Sequence, residues 1–252
     1  VVTNLLIKVH GEIPVLDGSA LEFCNHLDEI GVVDQGEPRQ ELVIDRRWEL
    51  SDGHKSLVVE PAETLSVSYF LRYPPPVGEQ LFEYAHTGPD AFKAQVAPAR
   101  TFGFMRDLKM INELGLGTGG RLDNFILVGE DNVINTDLRF PDEFVRHKVL
   151  DAIGDLSLVG VPIIGHYRAN RPGHRLNTDL LRLLVRDRKA WRRVLLSETN
   201  LDALSEGERS LRTTDEGGGR REGAWPDRQR MDPSRLKQRL VGMLGRAKRN
   251  GG

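Results

Sequence analysis

Strand-forming and helix-forming patterns are grouped along this sequence, and that grouping restricts the fold class more than any other feature. Strand patterns cluster between residues 41 and 71, and helix patterns dominate from residue 90 onwards. Regular alternation of strands and helices would instead predict βαβ units and a parallel sheet. The grouped arrangement therefore favours an α+β fold.

Apolar spacing and turn residues predict the individual elements. Apolar residues recur at helical spacing from Ala20 to Ile30, and Gly31 would end that helix. Asp52 and Gly53 are a hairpin signal between strand patterns at 41–45 and 56–60. Further strands are predicted at 4–9, 65–71, 124–128 and 161–169, and further helices at 90–96, 104–114, 141–153 and 176–184.

Composition and charge exclude several classes of protein. No apolar run approaches the roughly 20 residues that cross a bilayer, so we expect no transmembrane segment. Cys24 is the only cysteine, which rules out an intrachain disulfide and fits a cytoplasmic protein. The formal charge is −2, although ten basic and three acidic side chains lie between Arg220 and Gly252. An acidic body with a basic tail is not typical of a nucleic-acid-binding domain.

Two stretches of the sequence are not expected to contain catalytic or cofactor-binding residues. Residues 213–232 are rich in Gly, Arg and acidic residues and are predicted to be disordered, with a possible short helix at 233–246. The glycines at 115–120 match G-x-G-x-x-G. The predicted order there is helix, loop, strand, whereas a dinucleotide-binding fingerprint follows a strand and opens a helix. These glycines are better explained by a tight chain reversal.

The predicted helix at 141–153 carries a candidate metal site. His147 and Asp151 are four residues apart, so their side chains share one helix face. An imidazole and a carboxylate in that position can converge on one ion, such as a catalytic zinc with three protein ligands. On spacing alone, a His and an Asp four residues apart are usually a solvated pair or an incidental helix face. The ionisable residues among the apolar ones of this helix favour a site, because buried charges need a partner or a metal.

Two other positions could contribute to catalysis. His174 follows a predicted strand in the turn RPGH at 171–174, where it could reach into a site as an acid, base or electrostatic partner. An exposed turn histidine is the plain alternative. Thr101 and Phe102 lie in a predicted loop, and the Thr101 hydroxyl could either stabilise an oxyanion or cap a helix.

Four segments together resemble the UDP-3-O-acyl-N-acetylglucosamine deacetylases of lipid A biosynthesis. The most specific is FPDEFVRHKVLDAIGD at 140–155. PARTFGF at 98–104 resembles the substrate loop of that family, and GHRLN at 173–177 resembles its late histidine motif. EIPVLDGSA at 12–20 is a fourth match in the same order.

The resemblance implies a zinc-dependent amide hydrolase that releases acetate from the nucleotide sugar. By resemblance, His147 and Asp151 are zinc ligands. His174 would stabilise the transition state and protonate the leaving amine, with Asp155 orienting it and Thr101 holding the oxyanion. The same resemblance implies that the substrate is contacted by Phe102, Lys148, Lys55 and Arg171.

The resemblance also implies two domains, each with helices layered on a mostly antiparallel sheet. We expect the end of the first domain in 1–35, a complete second domain in 40–195, and a basic tail in 196–252. A monomer is expected.

One family feature has no match in this sequence. The family's third zinc ligand is a histidine directly after a glutamate that serves as general base, and no Glu-His dipeptide occurs here. We therefore expect a chain that lacks the N-terminal part of the family. Two alternatives stay open: a non-catalytic nucleotide-sugar-binding homologue, and an interaction module that uses the basic tail.

Overall fold

The computed structural model describes residue 2, residues 4–36, 38–108 and 123–187, and the backbone of 191–196. The described helices are α1 (Leu21–Ile30), α2 (Pro89–Gln95), α3 (Glu143–Ser157) and α4 (His174–Arg186). The described strands are β1 (Arg39–Ile44), β2 (Trp48–Asp52), β3 (Lys55–Glu60), β4 (Leu65–Arg72), β5 (Glu79–Ala85), β6 (Phe102–Phe104), β7 (Ile126–Val128), β8 (Ile163–Asn170) and β9 (Trp191–Leu196).

Strand β8 is the central strand of the larger sheet. Its C-terminal part lies between β3, which is antiparallel to it, and β4, which is parallel. Its first residues pair in parallel with β1, and β1 pairs in antiparallel with β9. Strands β2 and β5 add antiparallel partners to β3 and β4. Most pairings in this sheet are therefore antiparallel, and the predicted α+β class is confirmed.

The core lies between one face of the sheet and two helices. Every second residue of β4 is buried, as in Val67, Tyr69 and Leu71, and this face is turned towards α3. Helix α4 packs beside α3 and over β2 and β3. The two helices that carry His147 and His174 therefore lie side by side on the sheet.

Strands β6 and β7 pair in parallel as a separate two-stranded sheet, and this sheet fixes the end of the loop that precedes β6. Phe102 pairs with Ile126, and Phe104 pairs with Val128. The expected helix at 104–114 is wrong at its start, because Phe104 ends β6 and Met105–Asp107 form a 3-10 turn. The rest of that prediction, at 109–114, lies outside the described residues.

The N-terminal segment does not form the predicted strand. Residues 4–9 have no regular structure, and the side chain of Leu6 is 79% exposed. A strand needs a partner for its backbone groups, and no strand of the described chain pairs with this segment. Helix α1 follows as predicted and ends at Gly31, whose φ of 79° suits glycine.

The prediction paired the wrong strands in the hairpin around Gly53. Strand β3 pairs with β2, and β1 lies instead beside β8 and β9. Residues 48–52, WELSD, contain too few apolar residues to give a strand signal. Strand β5 was not predicted for a similar reason. Charged and polar residues interrupt its apolar pattern, and it follows three prolines.

Helix boundaries also differ from the prediction. Helix α3 begins after Asp142 and runs past Gly154 to Ser157. Gly154 is on an exposed face with open space around it, so it does not end the helix. His174 is the first residue of α4 rather than part of the preceding turn.

Two other predictions cannot be compared with the fold. The glycine pattern at 115–120 and the predicted disordered tail with its helix at 233–246 lie outside the described residues. Strand β9, just before that tail, was not predicted.

In the described part of the chain, no helix is long and apolar enough to cross a membrane.

Candidate active site

His147 is buried in α3, with each ring nitrogen in a different environment. Its Nδ1 atom lies 3.0 Å from the backbone oxygen of Ala99. A carbonyl oxygen can only accept, so Nδ1 carries the proton and Nε2 keeps its lone pair. Burial lowers the pKa of His147, which favours this neutral form. A neutral imidazole fixed through Nδ1 is the form that binds metals.

Asp151 lies one helical turn after His147, as predicted. Its Oδ1 atom is 3.4 Å from Nε2 of His147, and its Oδ2 atom accepts a hydrogen bond of 2.9 Å from Nζ of Lys148. Burial opposes ionisation of Asp151, but the Lys148 ammonium that donates to it favours the charged form, and the pKa lies below its ordinary value. The carboxylate is therefore charged and one oxygen faces the imidazole.

His174 and Asp155 form a second pair on neighbouring helices. Nδ1 of His174 donates to Oδ2 of Asp155 over 2.8 Å, while 63% of the His174 side chain is exposed. The hydrogen bond to Asp155 raises the pKa of His174. The imidazole is thus oriented by its Nδ1 atom, and its Nε2 atom is available for proton transfer.

Phe102 and Lys148 are brought to the same side of α3. The Phe102 ring meets the rings of Phe144 and His147 edge to face, with centroid distances of 5.0 and 6.3 Å. Nζ of Lys148 lies 5.3 Å from the centre of the Phe102 ring. An aromatic face and an ammonium group therefore lie beside the His147–Asp151 pair.

Backbone hydrogen bonds fix the loop that carries Thr101. Its amide donates to the oxygen of Gly18 over 2.8 Å, and its own oxygen accepts from Ile126 over 2.8 Å. Gly18 has a φ of 84°, and a β-carbon there would lie 2.3 Å from the Asn124 oxygen. Glycine is therefore required where the segment at 17–20 crosses this loop.

Comparison with known proteins decides the family. A family model described as "LpxC: UDP-3-O-acyl N-acetylglycosamine deacetylase" matches residues 1–186. The chain belongs to this family. The matched range contains every candidate residue of the site, and the predicted family is confirmed.

Curated relatives carry the name UDP-3-O-acyl-N-acetylglucosamine deacetylase. The protein of Campylobacter fetus is 40% identical over 189 residues, which cover 74% of this chain and 64% of the relative. That of Myxococcus xanthus is 39% identical over 208 residues, covering 82% and 66%. That of a Nitratiruptor strain is 42% identical over 179 residues, covering 70% and 60%. The chain thus spans just under two thirds of the length of these relatives.

A buried carboxylate anchors the loop of this deacetylase-family site to α3. The side chain of Glu143 is 0% exposed and accepts hydrogen bonds from Arg100 through N, Nε and Nη2, at 3.0, 2.8 and 3.1 Å. A further bond of 2.6 Å comes from the amide of Arg139. The peptide unit between Ala99 and Arg100 is held at both ends, by His147 at its oxygen and by Glu143 at its nitrogen.

Lys55 and Arg171 lie apart from the α3 side chains. Lys55 is exposed at the start of β3, directly after His54. Arg171 has a φ of 53° in the turn before α4, and its Nη2 atom donates to the oxygen of His54 over 3.3 Å. The structure therefore brings these two cations to one turn region, and no direct bond joins them to His147 or Asp151 within the described residues.

Several residues of the site were not found from the sequence. Ala99, Arg100 and Glu143 support His147, and Asn177 and Tyr167 support Asp155. Glu143 and Asn177 do fall inside the motifs at 140–155 and 173–177. Their partners could not be identified, because Ala99 and Tyr167 carry no distinguishing local signal.

Proposed function

We propose that the protein of which this chain is part hydrolyses the N-acetyl group of UDP-3-O-acyl-N-acetylglucosamine in lipid A biosynthesis. Membership of the family and the names of the relatives support this proposal. The observation that carries it is the pairing of Nε2 of His147 with Oδ1 of Asp151, 3.4 Å apart. These two atoms lie beside the half-buried aromatic and cationic side chains of Phe102 and Lys148.

His147 and Asp151 fit two positions of a zinc site. An imidazole nitrogen and a carboxylate oxygen are both common zinc ligands, and Nδ1 of His147 is already fixed by the Ala99 oxygen. Among the residues that the structure describes, no group of three His, Cys, Asp or Glu side chains could hold a metal. A third ligand would therefore come from outside this described set. Bound zinc would polarise the amide and activate water at neutral pH.

His174 is proposed as the proton donor. Hydrolysis adds water to the acetyl carbon, breaks the C–N bond, and leaves a free amine and acetate. The departing nitrogen needs a proton, and the raised pKa of His174 favours the protonated imidazole that can supply it. Asp155 fixes the ring through Nδ1, so that Nε2 delivers the proton. The Thr101 hydroxyl is proposed to hold the oxyanion.

The substrate is proposed to be held by aromatic and cationic groups. Phe102 would pack against the sugar, and Lys148 would meet the negative charge of the nucleotide sugar. Lys55 and Arg171 lie in one turn region, where their charges suit the diphosphate.

Acetate release from UDP-3-O-acyl-N-acetylglucosamine tests the proposal. A preparation that carries zinc should release acetate, and Asp155→Asn should slow the release about 100-fold or more, since it removes the charge that orients His174. Arg182→Gln is a suitable control, because this arginine pairs only locally with Asp179 on α4. Binding of the nucleotide sugar without any acetate release from zinc-loaded protein would instead favour the non-catalytic homologue.

A further inference from the structure

Two buried polar side chains extend the His174–Asp155 pair into the core. Asn177 is 3% exposed and Tyr167 is 1% exposed. Nδ2 of Asn177 donates to Oδ2 of Asp155 over 2.7 Å, and the Tyr167 hydroxyl donates to Oδ1 of Asn177 over 2.6 Å. Helix α4 supplies Asn177 and strand β8 supplies Tyr167, so the contacts join three elements.

The chemistry of these groups leaves only one direction for the hydrogen bonds. A carboxylate can only accept, so the amide of Asn177 must turn its NH₂ group towards Asp155. Its oxygen then faces Tyr167, and the hydroxyl must donate. Burial raises the pKa of Tyr167 well above its ordinary value, so the hydroxyl keeps its proton. Each donor thus points towards Asp155.

Asn177 and His174 donate to the same oxygen atom. Oδ2 of Asp155 lies 2.7 Å from the amide nitrogen and 2.8 Å from Nδ1 of His174. Two donors three residues apart in the first turn of α4 therefore fix the carboxylate in its rotamer. The amide also takes up part of the negative charge that would otherwise act on His174 alone.

We infer that Asn177 is a positioning residue for His174, acting through Asp155 and held in its orientation by Tyr167. The inference rests on the proposed function for its catalytic consequence, since His174 is the proposed proton donor. Asn177 is buried, so the role inferred for it is exerted through its contact with Asp155. It holds Asp155, and Asp155 in turn sets the direction and the proton affinity of the imidazole.

The other charged groups around His174 shift its pKa in known directions. From α3, Asp155 and Asp151 raise the pKa of His174 and Lys148 lowers it. Tyr69 of β4 and Tyr167 of β8 lie near Asp155 as neutral hydroxyls, since burial raises the pKa of both. Removal of the Asn177 amide therefore takes one hydrogen-bond donor away from the Asp155 oxygen without changing any formal charge.

The test is an NMR titration of the His174 ring in the 252-residue chain, with the signal assigned by His174→Gln. In Asn177→Ala, Oδ2 of Asp155 loses one donor and becomes a stronger acceptor, so the titration midpoint of His174 should rise. In Asn177→Asp, a second carboxyl group replaces the amide and the midpoint should rise further. Thr178→Ala is the control, since Thr178 is also buried and its hydroxyl donates to the backbone oxygen of His174 rather than to Asp155.

The outcomes separate positioning from a merely structural role. A raised midpoint in both Asn177 variants, with no change in Thr178→Ala, supports the inference. An unchanged midpoint in a folded variant overturns it. Asn177→Asp keeps the side-chain volume and decides the question if Asn177→Ala does not fold.

Kinetics provide a second readout. In a preparation that releases acetate, kcat should fall about 10-fold or more in Asn177→Ala with little change in KM, as is typical of outer-shell partners. An equal loss in Thr178→Ala would contradict a specific role. The NMR titration needs no substrate, so failure of the proposed deacetylase activity and failure of the positioning role can be told apart.

Discussion

Glu143 and Arg100 form a buried ion pair in which the carboxylate accepts three hydrogen bonds from one arginine. The side chains are 0% and 11% exposed, respectively. This pair fixes the loop whose Ala99 oxygen accepts the hydrogen bond from His147. Glu143 lies one helical turn before His147 on α3. Loss of either partner would leave an uncompensated charge in the core.

The first prediction is that Glu143→Ala destabilises the fold strongly. Breaking a buried ion pair typically costs about 3–5 kcal/mol of unfolding free energy, because the remaining charge stays buried. Urea unfolding measures this loss. Asp142→Ala is the matched control, since Asp142 pairs with Arg146 in a more exposed position and should cost about 1 kcal/mol or less. Similar losses in the two variants would contradict the importance of the buried pair.

The second prediction concerns His174. In a preparation that releases acetate, His174→Ala should lower kcat about 100-fold or more, as expected for a positioned acid. The zinc content should not change, because His174 contacts Asp155 and is not a proposed ligand. Arg175→Ala, which removes an exposed side chain paired with Asp52, serves as the control. Zinc loss in His174→Ala would show that the assigned role is wrong.

The third prediction concerns the pH dependence of stability. The pKa of His174 is raised above its ordinary value of 6.5 by the hydrogen bond to Asp155. The folded state therefore holds this proton more tightly than the unfolded state. The stabilisation is complete below pH 6.5 and is lost as the pH rises through the raised pKa.

The stability of wild type and Asp155→Asn should therefore be compared across this pH range. The difference in unfolding free energy between them should shrink above pH 6.5. Glu29→Gln, beside His26 in an exposed pair, is the control and should give a small, flat difference. A difference for Asp155→Asn that grows with pH would refute the assignment.

Local patterns predicted the parts of the site that depend on one helix. His147 and Asp151 lie close together because four residues make about one helical turn, and this geometry does not depend on the rest of the fold. Their role as zinc ligands stays a prediction. The roles assigned by resemblance to Thr101, Phe102, Lys148, Lys55 and Arg171 also stay predictions.

Contacts between distant segments could not be predicted in the same way. The bond from His147 to Ala99 joins residues 48 positions apart, and that from Asn177 to Asp155 joins residues 22 apart. Both depend on how helices and loops pack on the sheet. Strand β1 shows the same limit: its apolar pattern predicted a strand, but its partners β8 and β9 follow it by more than 100 residues.

The fourth prediction concerns the exposed apolar residues near the N-terminus. Leu6, Ile13, Val32 and Val33 are 79%, 67%, 71% and 84% exposed. Large exposed apolar side chains of this kind promote association. The 252-residue chain should therefore self-associate, and Leu6→Lys with Val33→Glu should reduce this in light scattering. Leu81→Lys, which changes an exposed apolar residue on β5, is the control. Equal reduction by the control would mean that the N-terminal residues are not the cause.

The last prediction concerns zinc binding by the 252-residue chain. His147 and Asp151 are two proposed ligands, and a catalytic zinc normally has three protein ligands. Zinc should therefore bind more weakly than at a complete site. The loss of affinity should exceed the roughly 10–100-fold that removal of an outer-shell partner causes. Dialysis against a weak chelator followed by metal analysis measures the zinc retained per chain.

The variants of this experiment locate the zinc that does bind. His147→Ala and Asp151→Ala should each remove the residual binding, because either change leaves a single ligand. His166→Ala is the control, since His166 contacts Ser68 and Glu60 on other strands and is not a proposed ligand. Stoichiometric zinc that survives His147→Ala would place the metal elsewhere. Stoichiometric zinc that is lost in both site variants would mean that a further residue of this chain completes the site, and the low-affinity prediction would be wrong.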